Sequence, residues 1–582
     1  MAVADYSNLT TRRKQYQILR AQLDLERSSF ISHWKELGEF IFPRRPRFTV
    51  TDTNRGERRN LKIYNSTASL AARTLRSGMM SGITSPARPW FRLTTPDPDL
   101  AEYGHVKQWL YLVTEQMSNI FLKSNLYNVL PIIYGDIGTF GTAAMSAEED
   151  FDSVIRFYPF SIGSYWIANN HRLKVNVFMR DFRMTVRQLI DRFGTLPNGD
   201  INWDVFSEVV KNYYEQGLLE SWIDVTHVIR PNPDYDAKKP ESKYKKFSSC
   251  YYESGTSLNV SQYLDDTYDK YLSEKGYDLF PVLAPRWETT GEDVYGTECP
   301  GMTALGDIKQ LQVQEKRKAQ AIEKMVNPPM IGPTSLRNQK ATILPGDITY
   351  MDVRDGMQGF KPAHEVNFRI AELQQNNVEI QQRISRCFFE DLFLMLASSD
   401  RRQITAREID ERHEEKLLAL GPVLEQLNQD LLDPLIDLTF NFMMRQGRVP
   451  PAPEELRGQE LKVEYISVMA QAQKTIGIGG IERFAGFVNQ IAQVRPDVLD
   501  KVNSDHMIDV YGDLTSIPPT IVRTDEEVEG VRSQRQKAQQ VQAATEQAAQ
   551  MSQSAKTLSE TDLTKDSALS GLLQQGNAGR LV

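Results

Sequence analysis

A mixed α+β chain, predominantly helical, follows from three features of the sequence. Two long stretches, Ala304–Met325 and Val366–Leu396, carry narrow apolar stripes at helical spacing on otherwise charged surfaces. Between them Pro328, Pro329, Pro333, Pro345 and Pro362 exclude a continuous helix. The first 295 residues mix amphipathic helix with segments that alternate apolar and polar residues as strands do.

The first helix is expected over 10–42, with Tyr16, Leu19, Leu23, Phe30, Trp34, Leu37 and Ile41 on one side and Pro43 as the stop. The stretch that follows, PRRPRFTVTDTNRGERRN, is basic, and Asp52 and Glu57 are its only acids. It suits contact with phosphate or an acidic partner, or a solvated loop. An Ala- and Leu-rich helix follows from Asn65, ending near Gly78 to Gly82, and a helical pair covers about 103–134. Gly135, Gly138 and Gly141 come next in GDIGTFGTAAM; no GxxxxGK[ST] phosphate loop exists, so close helix packing is their expected role. Strands are expected within 152–183, with a turn at Asn169-Asn170, and again at 221–230, 243–253 and 280–288. Short helices are expected at 185–193, closed by Gly194, and at 203–216.

The two striped stretches would make rods roughly 33 Å and 45 Å long at the helical rise. In the second, Ile370, Leu373, Asn377, Ile380, Ile384 and Cys387 follow a heptad-like seam with one polar member. Neither rod can centre a globular core, so each calls for partners along its length. Residues 397–403 form a short polar loop, after which Thr405 with Glu408 makes a capping box and starts a new helix. Gly421-Pro422 and Pro434 should bend it. A linker is expected at 448–460, helical segments at about 462–512, a Gln/Ala-rich helix over 525–557 and a disordered tail over 558–582.

Composition narrows the function. The 582 residues carry a formal charge of −8, which argues against a globally basic nucleic-acid-binding surface. Cys250, Cys299 and Cys387 are far apart, without metal-ligand spacing, and suit a reducing compartment. No signal peptide and no uncharged apolar run of membrane-spanning length is present, so a soluble intracellular protein is expected. His413-Glu414-Glu415 begins like a zinc-protease helix, but Leu417 stands where the second ligand belongs. The seven histidines do not cluster, and neither a cofactor nor an enzyme is expected.

Four strings, WKELGEFIFPRRPRF, NSTASLAARTLRSGMMSGITSPARPWFRL, GDIGTFGTAAM and TAREIDERHEEKLLALGPVLEQL, together resemble the head-to-tail connecting (portal) proteins of short-tailed, T7-like bacteriophages. The similarity covers roughly 10–510 in order. The resemblance implies a ring of identical subunits, usually twelve, at one capsid vertex, with double-stranded DNA passing along its axis. It implies an α+β wing over 1–295, stem helices over 296–325 and 366–396, and a clip over 326–365. A tunnel loop over 397–403, a long kinked wing helix and linker over 404–460 and a helical crown over 461–524 complete it, with the Gln/Ala helix extending as a short barrel. The clip residues Arg337, Lys340, Asp347, Tyr350 and Arg354 would dock terminase and then a tail adaptor. Ser398, Ser399, Asp400, Arg401 and Arg402 would line the DNA channel, and Ile370, Leu373, Asn377, Ile380 and Ile384 would pack the stem. Major capsid, scaffolding and internal ejection proteins are further implied partners, the virion the implied location, and the host cytoplasm the site of assembly.

The competing class is a DNA-processing enzyme of the packaging machinery, a terminase or nuclease. The absent phosphate loop opposes the ATPase, and the absent ligand clusters oppose a metal nuclease. A helical scaffold unrelated to phage would explain the rods but not the coincident N-terminal strings.

Overall fold

In the computed structural model, described residues are 12–52, 56–97, 100, 103–196, 198–256, 270–328, 330–331, 361–362, 369–398, 420–456, 458, 461–466, 481, 484–492, 495, 501–514 and 525–559. The chain divides into two compact units: Met1–Thr94 with Leu110–Ala452 and Leu461–Gly480, and Thr95–Trp109 with Pro453–Glu460 and Ile481–Val582.

Helix α1 (Arg12–Phe40) buries the expected stripe, with Trp34 and Leu37 fully enclosed. It lies on one face of a five-stranded antiparallel sheet of order β4-β5-β6-β7-β8, where β4 is Tyr165–Asn169, β5 Val175–Thr185, β6 Trp222–Pro231, β7 Phe247–Thr256 and β8 Ser273–Tyr277. Side-chain alternation splits this sheet between two cores. Cys250 and Tyr252 meet Tyr16, Leu23 and Trp166 on the α1 face. Tyr251, between them, faces Val186, Phe206 and, from helix α5 (Glu208–Glu215), Val210 on the other. The same helix sends Arg27 into the body, where it donates to the carbonyls of Gly163 and Tyr165 at 2.7 and 3.1 Å and lies over the Trp166 ring. Strand β8, SEKGY, lies outside every stretch read as strand, whereas the stretch read as strand at 280–288 contains the two-residue strand Val282–Leu283. As an outer strand with only one neighbour, β8 needs little apolar patterning.

A second sheet, β3-β2-β9, joins Val154–Pro159, Met145–Asp150 and Val282–Leu283. Helix α2 (Thr67–Ile83) packs against α4 (Leu126–Phe140), which follows α3 (Gly104–Lys123). Here α4 corrects the sequence reading: the helix does not stop near 134 but continues through Gly135 and Gly138 to Phe140. These glycines sit in the helix because α2 comes too close for side chains: a Cβ on Gly138 would overlap Leu75. Gly141 closes the helix in the left-handed region, φ 78°.

Strand β1 (Phe91–Thr94) pairs antiparallel with β12 (Lys462–Tyr465), Phe91 opposite Tyr465. The reading of 462–512 as helical is therefore corrected at its start. KVEY alternates too briefly to be distinguished from a helix turn, and it becomes a strand because β1 supplies the ladder. In the second unit, helices Ser504–Leu514 and Asp525–Ser559 are tied by Arg532, which grips both Asp505 oxygens at 2.7 and 2.8 Å. The Gln/Ala helix runs 35 residues, with Val541 and Met551 exposed.

His227 of β6 is buried, stacked on Tyr251 at 3.7 Å and hydrogen-bonded to Ser249 at 3.0 Å. Burial, reinforced by Arg180 and Arg192, holds its pKa well below the ordinary 6.5. Below pH 6.5 the unfolded chain therefore takes up a proton that the folded chain refuses, and stability falls as pH falls. The melting temperature should drop between pH 7 and 5, at up to about 1.4 kcal/mol per pH unit from this site. The slope should be shallower in His227→Asn; an equal slope would remove His227 as its source. Gly138→Val should lower the melting transition by overpacking against Leu75, at a cost of about 1–3 kcal/mol. An unchanged calorimetric midpoint would contradict the close helix approach.

Candidate functional site

The feature that stands out from the body is an antiparallel helix pair, α6 (Pro300–Val326) and α7 (Ile370–Cys387). Its direction is read from its polar contacts. Arg383 meets Asp307 at 2.8 Å, Asn377 donates to Glu315 at 2.8 Å, and Lys318 reaches Gln374 at 2.8 Å. As one number rises the other falls.

The heptad-like seam lies within this pair. Asn377, Ile380 and Ile384 are buried, whereas Ile370 and Leu373, towards the free end, are half-buried. On α6 burial likewise covers Ala304, Leu305, Ile308 and Leu311, and the last turns are exposed apart from partial cover at Ala321. The rods thus cover each other over the half nearest the body, where α6 also meets α4 and α7 also meets α2.

The second rod is not continuous. It turns at Phe389, whose φ of 53° interrupts the helix, and resumes as α8 (Glu390–Ser398). Two aromatic residues stand at the turn: Phe388 is buried and the Phe389 ring lies 6.3 Å from Trp287. The single 45 Å helix expected over Val366–Leu396 is thereby corrected to two. At the other end, Met330–Ile331 (β10) and Lys361–Pro362 (β11) form a two-residue antiparallel ladder, bringing together the ends of the Pro-rich insert.

The root of the pair carries a contact that periodicity did not reveal. Gln312, buried on α6, accepts from the backbone N–H groups of Tyr64 and Asn65 at 2.6 and 2.8 Å and donates to the Asn65 carbonyl at 2.9 Å. It thereby clasps the chain just ahead of α2. Its one legible signal is position, one turn after Ile308 on the buried stripe.

Of the proposed channel residues, Ser398 is the last residue of α8, while Ser399, Asp400, Arg401 and Arg402 lie outside the described residues. So do Arg337, Lys340, Asp347, Tyr350 and Arg354, the Thr405 capping box and His413. After them, Gly421–Leu427 (α9) and Asp433–Arg445 (α10) are joined by a π-helical turn over Asn428–Leu432, just ahead of Pro434. Asp430 in that turn holds the buried Arg286 at 3.0 and 3.1 Å.

Among the described residues, no group of three His, Cys, Asp or Glu side chains could hold a metal ion, and no helix is long and apolar enough to cross a membrane. A family model described as bacteriophage head to tail connecting protein matches residues 13–522. The chain belongs to that family. The family is structural rather than enzymatic. The chain is 48% identical over 558 residues to the portal protein of Salmonella phage epsilon15, spanning 96% of this chain and 97% of the relative. It is 42% identical over 562 residues to a Bordetella phage BPP-1 protein named "Probable portal protein", with the same coverage of 96% and 97%.

Ile380→Ala should cost about 2–5 kcal/mol by opening a cavity between the paired helices of this connector subunit. Loss of protease resistance in 300–387 would report it; an unaltered digestion pattern would mean that the seam does not hold the pair.

Proposed function

We propose that this chain is the portal subunit of a short-tailed bacteriophage. In this reading, a ring of about twelve copies at one capsid vertex passes duplex DNA during packaging and ejection. The observation that carries it is 48% identity to a named portal protein along 96% of the chain. The α+β body is assigned as wing, the pair α6 and α7 as stem, the insert closed by β10 and β11 as clip, and 397–403 as tunnel loop. Residues 461–524 are assigned as crown, and the long Gln/Ala helix as a barrel strut.

Physical arguments support the assignment. The outer half of α6 leaves Ile322, Met325 and Val326 exposed, and neighbouring subunits in a ring supply the missing cover. The exposed helix Asp525–Ser559 likewise needs neighbours to persist. DNA must slide, so a lysine-lined lumen would act as glue, and a subunit of charge −8 suits a conduit. Arg401 and Arg402 would touch phosphate transiently. Terminase would dock on the clip first and the tail adaptor later. Capsid, scaffolding and internal ejection proteins are further partners, with assembly in the host cytoplasm.

Cryo-electron microscopy of the purified protein should show rings with a central hole as wide as duplex DNA; twelve chains of 66.5 kDa would weigh roughly 800 kDa. Gln382→Pro, which breaks α7, should abolish them, and normal rings from that variant would refute the stem assignment. ATP turnover well above background would instead favour the packaging enzyme. Replacing Arg401 and Arg402 with Ala should leave rings intact and alter DNA packaging or retention; unchanged packaging would reduce the loop to a connector.

A further inference from the structure

The basic stretch after α1 is only partly accounted for by internal pairing. Arg45 is consumed inside the protein, where it grips both oxygens of the buried Asp136 at 2.6–2.8 Å. Arg59 pairs with Asp52, and Arg44 donates to the Glu57 carbonyl at 3.3 Å. These groups border a cleft of about 560 Å³ between the end of α1, α2 and α4. Its floor is apolar, made by Ile41, Phe42, Ile63, Leu70 and Ile132. Its rim is cationic, with Arg44, Arg59 and the exposed Arg73, and Asp136 is the only acid lining it among the described residues. Arg76 lies against the wall with a buried Nε that has no hydrogen-bond partner. Exposed Leu61, at 73%, lies just beside this segment.

An occupant must bring an apolar body as well as negative charge. A phosphodiester backbone would answer the rim and leave the floor uncovered, so the cleft favours a peptide carrying an aromatic group between carboxylates. The chain itself presents one. At the turn between β2 and β3, Phe151 is 87% exposed, between Asp150 and Asp152. The turn is rigid: Ser153 donates to the Asp150 carboxylate at 2.6 Å, and Asp150 faces Val154 across the hairpin. Val154 is buried and held at φ 71°, a left-handed conformation that β-branched residues avoid. Such strain is retained where the shape of a segment is used. A preformed turn also loses little entropy on docking.

We propose that the Asp150-Phe151-Asp152 tip of one subunit inserts into the Arg73-rimmed cleft of a second copy of the same chain. The contact is head-to-tail, since tip and cleft are different surfaces, and repetition of such a contact closes a ring when the rotation between copies permits. Phe151 is exposed in its own chain, so it does not fill its own cleft. The inference rests on the reading of the chain as a ring-forming subunit.

The test places the photo-cross-linker p-benzoylphenylalanine at position 151 of the full-length protein, followed by irradiation, gel analysis and peptide mapping. Cross-linked dimers mapping to 41–76 of another chain are expected. Arg73→Glu, at an exposed position that should not disturb folding, should cut their yield roughly tenfold. Asp152→Arg should restore it in that background. Rings whose cross-links map elsewhere, or that give none, would overturn this contact while leaving the portal reading intact. Monomers alone, by mass photometry at every concentration, would overturn both. Fluorescence anisotropy with labelled duplex DNA covers the other occupant. If Arg73→Glu abolishes DNA binding and position 151 gives no cross-link to 41–76, the cleft is a phosphate site and the proposal fails.

Discussion

The architecture depends on how closely α2 can be approached. Its sequence, TASLAARTLRSGMMSGI, buries the small residues Ala68, Ala71, Ala72, Gly78 and Gly82 beside Leu75, Met79 and Ile83, and three elements pack closely against it. Helix α4 brings Gly138 against Leu75, and α8 sets Phe393 over Gly78, where any Cβ would collide with the ring. The end of α7 also reaches α2. Dispersion is short-ranged, so glycine at both contacts converts a loose helical stack into a hub. The helix pair α6 and α7 is therefore seated on the same helix as the α+β body, and Gln312 seals the joint by satisfying the backbone at Tyr64 and Asn65.

From that hub outward, burial declines and polarity rises. Near the body, Ile380 and Ile384 are closed off; further along, the pair is held by Asn377, Gln374 and their partners on α6. Polar contacts of this kind specify alignment, because a hydrogen bond demands a fixed partner while contributing only about 1 kcal/mol net. A projecting pair held this way is aligned without being self-sufficient.

Charge is distributed on the same logic. Buried arginines each meet a carboxylate, a carbonyl or an aromatic face: Arg45 with Asp136, Arg286 with Asp430, Arg27 with two carbonyls and Trp166. They knit separate segments of the body together. Arg73, by contrast, is exposed and lines an open cleft.

Much was legible in the sequence because the physics involved is local. The stripe of α1, the start of α6 and the seam of α7 are set by 3.6-residue periodicity, and the strands around β5 and β6 by alternation of two. Four strings, matched in order, pointed to the connector family. Other features were decided only in three dimensions. Helix α4 runs through its glycines because α2 packs there, and KVEY is a strand because Phe91–Thr94 lies beside it. The second rod breaks at Phe389, whose ring lies beside Trp287, a residue far away in sequence. Arg45 of the basic stretch became internal pairing because Asp136, far away in sequence, lies beneath it. Periodicity reports how a segment meets its nearest neighbours along the chain; what a glycine, an arginine or a short alternating run does depends on what the fold brings against it.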